Sequence, residues 1–324
     1  MNMPITPRQV TRDRARSLFA EEVQEGLAAD RKRIPPKYFY DSDGSHLFEE
    51  ITRLDEYYPT RTEWLILERH AADIAGLIPD GAAVVEFGSG ACRKVSFLLD
   101  DMQEPGAFVP VDISGDFLDM NAARLRTRYP GLPVLPVVAD FTQAFALPPP
   151  VAGMPKAGFF PGSTIGNFEP DEARAFLRHA ARILGEGAVM IVGADRIKDP
   201  NVLHAAYNDP TGVTARFNLN LLRRINRELQ GNFDLRSFAH YAFFNTAESR
   251  IEMHLVSRHA QRVRVAGRFY VFREGESIHT ESSYKYSPDG FAALAAAAGW
   301  DMAARWSDPD DLFSVYALRL PARS

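Results

Sequence analysis

The sequence predicts an α/β protein in which a Rossmann-like, mainly parallel sheet is interrupted by a second, α+β unit. Three observations point there. From Ala82 to Asp195 short apolar runs alternate with helical stretches, the pattern of a parallel sheet built from strand-helix units. After Asp195 the alternation stops, and a long helical stretch gives way to period-two segments. Near residue 287 a helix and two strand-like segments return, as though the sheet resumes.

The elements follow in order. Leu18, Phe19, Val23 and Leu27 fall at helical spacing among charges that include Arg12, Arg14 and Arg16, which predicts an amphipathic first helix. In Ile34-Pro-Pro-Lys-Tyr-Phe-Tyr40-Asp-Ser-Asp-Gly44-Ser45 the prolines and glycine forbid a continuous helix, and the aromatics predict an ordered loop. Arg61 to Leu77 is helical again, ended by Pro79-Asp80-Gly81. Strands are expected at Ala83 to Phe87, Ala107 to Asp112, Val134 to Asp140, Lys156 to Phe160 and Ala188 to Val192. Between the last two, Pro170 to Leu184 places Phe176, Leu177, Ala180 and Ile183 on one helix face, with Gly185 as its cap.

Asn201 to Phe233 reads as helical, with Leu221, Leu222, Ile225 and Leu229 as a buried stripe. Arg250 to Leu255 and Gln261 to Ala266 alternate at period two, as antiparallel strands with one wet face do. Ser287-Pro288 opens a helix through Ala298, and strands are expected around Trp300 to Trp306 and Leu312 to Leu320, split by Asp308-Pro-Asp-Asp311.

Composition narrows the function. The chain has 324 residues, 46% hydrophobic and 24% charged, enough for a sizeable core, and its net charge of −5 gives no general attraction to phosphate backbones or anionic lipid. Arg31-Lys32-Arg33 is a short solvated cluster in an acidic protein. Cys92 is the single cysteine, so no internal disulfide is expected, and no apolar run is long enough to span a membrane. His254 and His259 suit neither one strand face nor one helix side, and no metal is expected. A cytoplasmic monomer acting on a small molecule, without nucleic acid or membrane as partner, is the expectation.

The chemistry concentrates in Val84-Val85-Glu86-Phe87-Gly88-Ser89-Gly90-Ala91, a buried strand breaking into a glycine turn before a helix. Such glycines let a ligand approach the backbone, and a nucleotide-binding sheet places its ligand at the carboxyl ends of its strands. Asp112 ends the second strand, where a carboxylate can accept from ribose hydroxyls; Asp140-Phe141 ends the third, an acceptor for an adenine amine and a ring to pack on it. Taken singly, each aspartate is either a ligand contact or a cap.

The dinucleotide fingerprint needs a third glycine, which Gly88-Ser-Gly90-Ala-Cys-Arg93 lacks. Glu86 before the turn suits a cation better than a pyrophosphate, so a sulfonium methyl donor, S-adenosylmethionine, is the ligand expected. Gly162-Ser-Thr164-Ile-Gly166 is superficially like a hydrolase nucleophile elbow, but threonine stands where serine is required.

Beyond the sheet lie segments more specific than a glycine turn. They are Pro35-Pro-Lys-Tyr-Phe-Tyr-Asp41 with Gly44-Ser45, Leu47-Phe48-Glu49, Ile51-Thr52-Arg53-Leu54 and Glu56-Tyr57-Tyr58-Pro59-Thr60-Arg61. Further on come Gly162-Ser-Thr-Ile-Gly-Asn167-Phe168, Tyr207-Asn-Asp-Pro-Thr-Gly-Val-Thr-Ala215, Phe217-Asn218 and Ile225-Asn-Arg-Glu-Leu229. Through these and Glu86 to Gly90 the chain resembles, over nearly its whole length, the histidine-specific Nα-methyltransferases of ergothioneine biosynthesis, which convert histidine to the trimethylated betaine hercynine.

The resemblance implies a class I S-adenosylmethionine-dependent methyltransferase domain (62–196 and 287–324) interrupted by a substrate-recognition domain (1–61 and 197–286). It places Gly88, Lys94, Asp112, Asp140 and Phe141 at the methyl donor, beside the Glu86 and Gly90 of the glycine turn. It gives Asn167 and Tyr207 to the substrate α-carboxylate, Tyr40 to the amine, and Tyr57, Glu281, Ser283 and Met253 to the imidazole. Phe87 replaces the leucine usual in the family.

Relatives methylate other amino acids, tryptophan among them, so Glu281 and Ser283 decide the side chain. A carboxylate and a hydroxyl pair with both imidazole nitrogens, whereas an indole has one donor and no acceptor. Leaving Glu281 desolvated and unpaired costs ~2 kcal/mol or more, which favours histidine by over tenfold. Read without the resemblance, Glu281 and Ser283 share one strand face that meets either a pocket or water. A module that binds the donor or an amino acid without turnover is the alternative from a different class.

Methyl transfer needs the amine lone pair aligned with the sulfur-methyl bond, so positioning is the main task. Tyr40 is expected to orient the amine, since a phenol with a pKa near ~10 is a poor base.

Overall fold

A computed structural model describes the backbone of residues 7–321 and the side chains of residues 16–321; the side chains of Arg12 and Arg14 lie outside them. In chain order the helices are α1 (Pro7–Ala28), α2 (Ser42–Ile51), α3 (Tyr58–Ala75), α4 (Val95–Leu99), α5 (Gly115–Arg128), α6 (Pro170–Leu184), α7 (Pro200–Tyr207), α8 (Val213–Glu228) and α9 (Pro288–Ala297). The strands are β1 (Ala83–Phe87), β2 (Ala107–Asp112), β3 (Val137–Val138), β4 (Lys156–Phe160), β5 (Val189–Asp195), β6 (Phe238–Asn245), β7 (Arg250–Ser257), β8 (Gln261–Val265), β9 (Arg268–Phe272), β10 (Ser277–Tyr284), β11 (Asp301–Ser307) and β12 (Phe313–Arg319). Two compact units form: residues 58–199, 246–250 and 283–324, and residues 1–57, 200–245 and 251–282.

The larger unit holds a seven-stranded sheet in the order β11-β12-β5-β4-β1-β2-β3. β1 runs parallel to both β2 and β4, β4 parallel to β5, and β12 antiparallel to β5 and β11. This is the expected α/β fold, with the final strands resuming the sheet beside β5. Every residue of β1 and β5 is buried, which is why both read as near-continuous apolar runs, broken only by Glu86 in β1 and the final Asp195 in β5. Val85 and Phe87 pack with Phe176, Leu177 and Ala180 of α6, while Val84 joins Ile66 and Leu67 of α3 and Leu98 of α4. Burying each of the larger side chains contributes about 1.5–3 kcal/mol. The strand order reverses between β1 and β4, the switch point where open α/β sheets leave a crevice for a ligand.

The smaller unit holds a three-stranded sheet, β10-β7-β6, and the antiparallel pair β8-β9. Its helix α8 buries Leu221, Leu222 and Ile225 as predicted.

Four of the expected elements differ from the sequence reading, and β6, β9 and β10 were not expected. Leu18 is 46% exposed, because the stripe of α1 runs through Phe19, Val23 and Leu27 at intervals of one helical turn and leaves Leu18 off it. The predicted loop after Ile34 contains a 3₁₀ turn, Pro36–Phe39, and then the start of α2, which passes through Gly44 and is capped by Asp41 accepting from the Gly44 N–H at 2.7 Å. The single helix expected from Asn201 to Phe233 is two, since Pro210 and Gly212 (φ +71°) break it and Asp209 caps α8 by accepting from the Val213 and Thr214 N–H groups, both at 2.8 Å. The third strand shrinks to Val137–Val138, with only a bridge from Val134 to Phe108, because Pro133 and Pro136 remove ladder donors.

Candidate active site

The turn after β1 runs through Gly88 (φ +66°) and Gly90 (φ +47°), a region that favours glycine. A Cβ on Gly88 would come within 3.1 Å of the Phe141 ring, whereas one on Gly90 would meet nothing within 4 Å. The Gly90 N–H donates to Asp112 Oδ2 at 3.0 Å, the Ser114 N–H to Asp112 Oδ1 at 2.9 Å, and Asn121 Nδ2 to the Gly90 carbonyl at 3.1 Å. Asp112 therefore ties the end of β2 to the glycine turn. Burial raises its carboxyl above the usual range, against the pull of the Ser114 and Gly90 N–H groups.

Asp140 lies just past β3 and accepts from the Thr142 N–H at 3.0 Å, a local turn contact. Phe141 beside it packs against Phe160 at 5.7 Å and Phe176 at 5.8 Å. Phe87 meets Phe176 edge-on at 5.5 Å, so the extra ring has a partner.

Glu86 is 1% exposed, and among the described residues its Oε2 has no hydrogen-bond partner. Burial pushes its carboxyl well above the usual range; Lys94 pulls it down, and Asp112 and Glu63 push it further up. A cation arriving at the turn would reverse that shift.

Lys94, just before α4, is ion-paired with Glu63 of α3, and both Glu63 oxygens also accept from the Gly162 N–H, at 2.8 and 2.9 Å. Sequence reasoning missed Glu63 and Asn121. The available signal for Glu63 was a carboxylate next to Thr62 and one turn before Ile66 and Leu67 on a buried helix face.

In the loop after β4, Thr164 donates its hydroxyl to the Pro161 carbonyl at 2.9 Å, a turn contact rather than a nucleophile's. A Cβ on Gly166 would lie 2.7 Å from the Tyr284 carbonyl oxygen, so only glycine lets the turn carrying half-buried Asn167 approach the end of β10. Ser163 Oγ accepts from the Asp195 N–H at 2.9 Å. Asp195, at 0% exposure, also accepts from the Tyr58 hydroxyl at 2.7 Å, from Lys285 Nζ at 2.9 Å and from Lys198. Burial opposes its ionisation, but Lys285 and Lys198 hold it below the usual carboxylate range. Burial in turn lowers Lys198 to about 8. Lys285 donates to Ser283 Oγ at 2.8 Å.

The smaller unit brings three predicted tyrosines into one aromatic cluster. Tyr40 packs on Phe48 at 5.7 Å and on Phe217 at 5.9 Å; Phe48 meets Tyr57 at 6.3 Å, and Tyr57 meets Tyr207 at 6.2 Å. Met253 is buried on β7, and its carbonyl accepts from the Thr280 hydroxyl at 3.0 Å. Glu281 is buried on β10.

Nearby, Glu252, His254 and His279 bring one potential ligand atom each within 4.8 Å of one another, a group that pairing His254 with His259 overlooked. Glu252 and His254 are hydrogen-bonded at 3.1 Å, with Asn245 donating to Glu252 at 2.9 Å and Ser277 against the other imidazole nitrogen of His254 at 3.1 Å.

A pyrophosphate would meet repulsion at Glu86, while a sulfonium and an ammonium would satisfy it, and the sheet order sets that turn at the switch point. Fold and turn together are those of the class I S-adenosylmethionine-dependent methyltransferases. Residues 19–320 match the model of the histidine-specific, S-adenosylmethionine-dependent methyltransferases, and the chain belongs to that family. The histidine N-alpha-methyltransferase of Mycolicibacterium smegmatis is 42% identical over 309 residues, 94% of this chain and 95% of that protein. Ergothioneine biosynthesis protein 1 of Neurospora crassa is 31% identical over 90% of this chain and 33% of its own length. Among solved structures, an S-adenosylmethionine-dependent methyltransferase from Clostridium acetobutylicum has a TM-score of 0.47 at 12% identity, covering 86% of this chain and 98% of that one.

Proposed function

We propose that this protein transfers three methyl groups from S-adenosylmethionine to the α-amino nitrogen of L-histidine, giving hercynine for ergothioneine biosynthesis and S-adenosylhomocysteine as by-product. The carrying observation is the extent of the family match, residues 19–320, which takes in Tyr40, Tyr57, Tyr207, Met253 and Glu281 as well as the sheet.

The open space beside Gly90 and the unpartnered Glu86 oxygen fit a cationic donor. Glu86, Gly88, Gly90, Lys94, Asp112, Asp140 and Phe141 hold it, in a donor domain of residues 62–196 and 287–324. When bound, it supplies a methyl carbon activated by positive sulfur.

The chain's own residues position the acceptor. Asn167 and Tyr207 hold the α-carboxylate, Tyr40 orients the amine, and Tyr57, Met253, Glu281 and Ser283 surround the imidazole, with residues 1–61 and 197–286 as the recognition domain. The packing of Tyr40 and Tyr57 on Phe48 supports this, because a tyrosine held by ring contacts aims its hydroxyl at little entropic cost. Desolvation beside the sulfonium favours the neutral amine that each transfer needs. No helix among the described residues is long and apolar enough to cross a membrane, and we place the enzyme in the cytoplasm as a monomer.

The test is to incubate the purified protein with S-adenosylmethionine and each of the twenty amino acids, following products by mass spectrometry. Trimethylation of histidine alone is expected. Methylation of a different amino acid would overturn the imidazole assignment and leave the donor site standing; donor binding without any turnover would identify a binding module.

A further inference from the structure

Glu63 is 1% exposed on α3, and the fold makes room for it. A Cβ on Gly193 of β5 would lie 1.9 Å from Glu63 Oε1, so the carboxylate fills the space that a side chain on β5 would take. Both its oxygens accept from the Gly162 N–H, at 2.8 and 2.9 Å, and Oε2 also accepts from the Lys94 ammonium. A helix, a strand and a loop thus fix one position for this buried charge. Lys94 is placed differently. Among the described residues Glu63 is the one acceptor its ammonium meets, so two of its three N–H donors have no protein acceptor. Its side chain is 17% exposed, and it lies close enough to Glu86 to pull that carboxyl down while Glu63 pushes it up. The pair therefore belongs to the surroundings of the glycine turn.

We propose that Glu63 is a positioning residue for the methyl donor: it holds the Lys94 ammonium where that group receives the carboxylate at the donor's amino-acid end. The inference rests on the proposed contact between Lys94 and the donor. The carboxylate is the one anionic group of S-adenosylmethionine, so it is what an ammonium attracts, while the sulfonium and the amine suit Glu86. A lysine carries its charge on a flexible four-carbon stem, and a ligand that must order such a stem binds more weakly. With Glu63 in place the stem is held before the donor arrives. Reach matters here as much as charge. A carboxylate one methylene shorter would still neutralise Lys94, but bound to Gly162 it would stand short of the ammonium.

A purely structural Glu63 would stabilise the fold without regard to the donor's carboxylate. The discriminating quantity is a ratio: how much more tightly S-adenosylhomocysteine binds than its decarboxylated form, which keeps the adenosine and the amine. We would measure that ratio by titration calorimetry in the wild type, Glu63→Gln, Glu63→Asp, Lys94→Met and the Glu63→Gln/Lys94→Met double variant. Losing one oriented, charge-assisted hydrogen bond predicts a ratio about tenfold lower in Glu63→Gln. Glu63→Asp should lower it too, since the charge is kept and the reach is lost. In the Lys94→Met background, where the ratio is already low, Glu63→Gln should change it little.

An unchanged ratio in Glu63→Gln overturns the inference while the function stands, and a raised one does so as well, because Glu63 would then compete with the donor's carboxylate. A full loss that persists in the Lys94→Met background also overturns it. If Lys94→Met itself leaves the ratio unchanged, the donor contact proposed for Lys94 has failed and the role of Glu63 falls with it. Should Glu63→Gln not fold, Glu63→Asp decides: a wild-type ratio there overturns the proposal, since neutralising Lys94 would suffice.

Discussion

Glu86 shows how a single residue can report on the ligand. Among the described residues its carboxyl is buried without a partner at Oε2, and burial lifts its pKa well above the usual carboxylate range. The ligand-free folded protein therefore keeps a proton that the unfolded chain releases. The sign follows: the neutral carboxyl is harmless below pH 4.5, and stability is lost as pH rises from there toward the folded pKa. A cationic donor reverses the balance, so binding should release a proton and tighten as pH rises. Titration calorimetry in two buffers of different ionisation enthalpy would detect that release. Glu86→Gln should abolish it, weaken the donor about tenfold or more, and raise the melting temperature of the ligand-free protein at neutral pH. Unchanged donor affinity with no proton release in the wild type would remove Glu86 from the donor site.

At the scale of elements, legibility in the sequence followed burial and locality. β1, β2, β4 and β5 were readable because strands covered on both faces are near-continuous apolar runs. β6 and β9 were not, since Tyr241, Phe269 and Val271 are large apolar side chains standing exposed and blur the alternation. β10 is hidden for another reason: Ser277 to Tyr284 is largely polar because its side chains bond to one another and to neighbours rather than to an apolar core.

The donor turn is local and could be derived from its own residues. Tyr40, Tyr57, Tyr207 and Glu281 are scattered along the chain and were legible only through resemblance. Contacts between distant positions, such as Glu63 with Lys94 and Asp195 with Lys285, left no pattern to read. The second of these carries a prediction. Asp195→Asn would strand two buried ammonium groups at the end of β5, and removing one partner of such a network costs about 3–5 kcal/mol. Denaturant unfolding should show a loss of that size. A change under 1 kcal/mol would mean that water, rather than Asp195, satisfies Lys198 and Lys285.

For the whole molecule, the two compact units have different tasks in the proposed function, and that division can be measured separately from catalysis. A ligand that binds only the folded state adds RT ln(1 + [L]/Kd), about 2.7 kcal/mol at a hundred times Kd. Every proposed donor residue, from Glu86 to Phe141, belongs to the unit made of residues 58–199, 246–250 and 283–324. Tyr40, Tyr57, Tyr207, Met253 and Glu281 belong to the other. Hydrogen exchange followed by mass spectrometry should therefore separate the ligands. S-adenosylhomocysteine alone is expected to slow exchange in peptides covering 84–95, 108–116 and 137–143. Histidine added to that complex should extend protection to 36–58, 203–218 and 250–256, segments that hold none of the donor residues. The dead product is the right probe, because with it no turnover can blur the second step. If S-adenosylhomocysteine alone protected both sets equally, the assignment of Tyr40, Tyr57, Tyr207 and Met253 to the acceptor alone would be wrong, even with histidine confirmed as substrate.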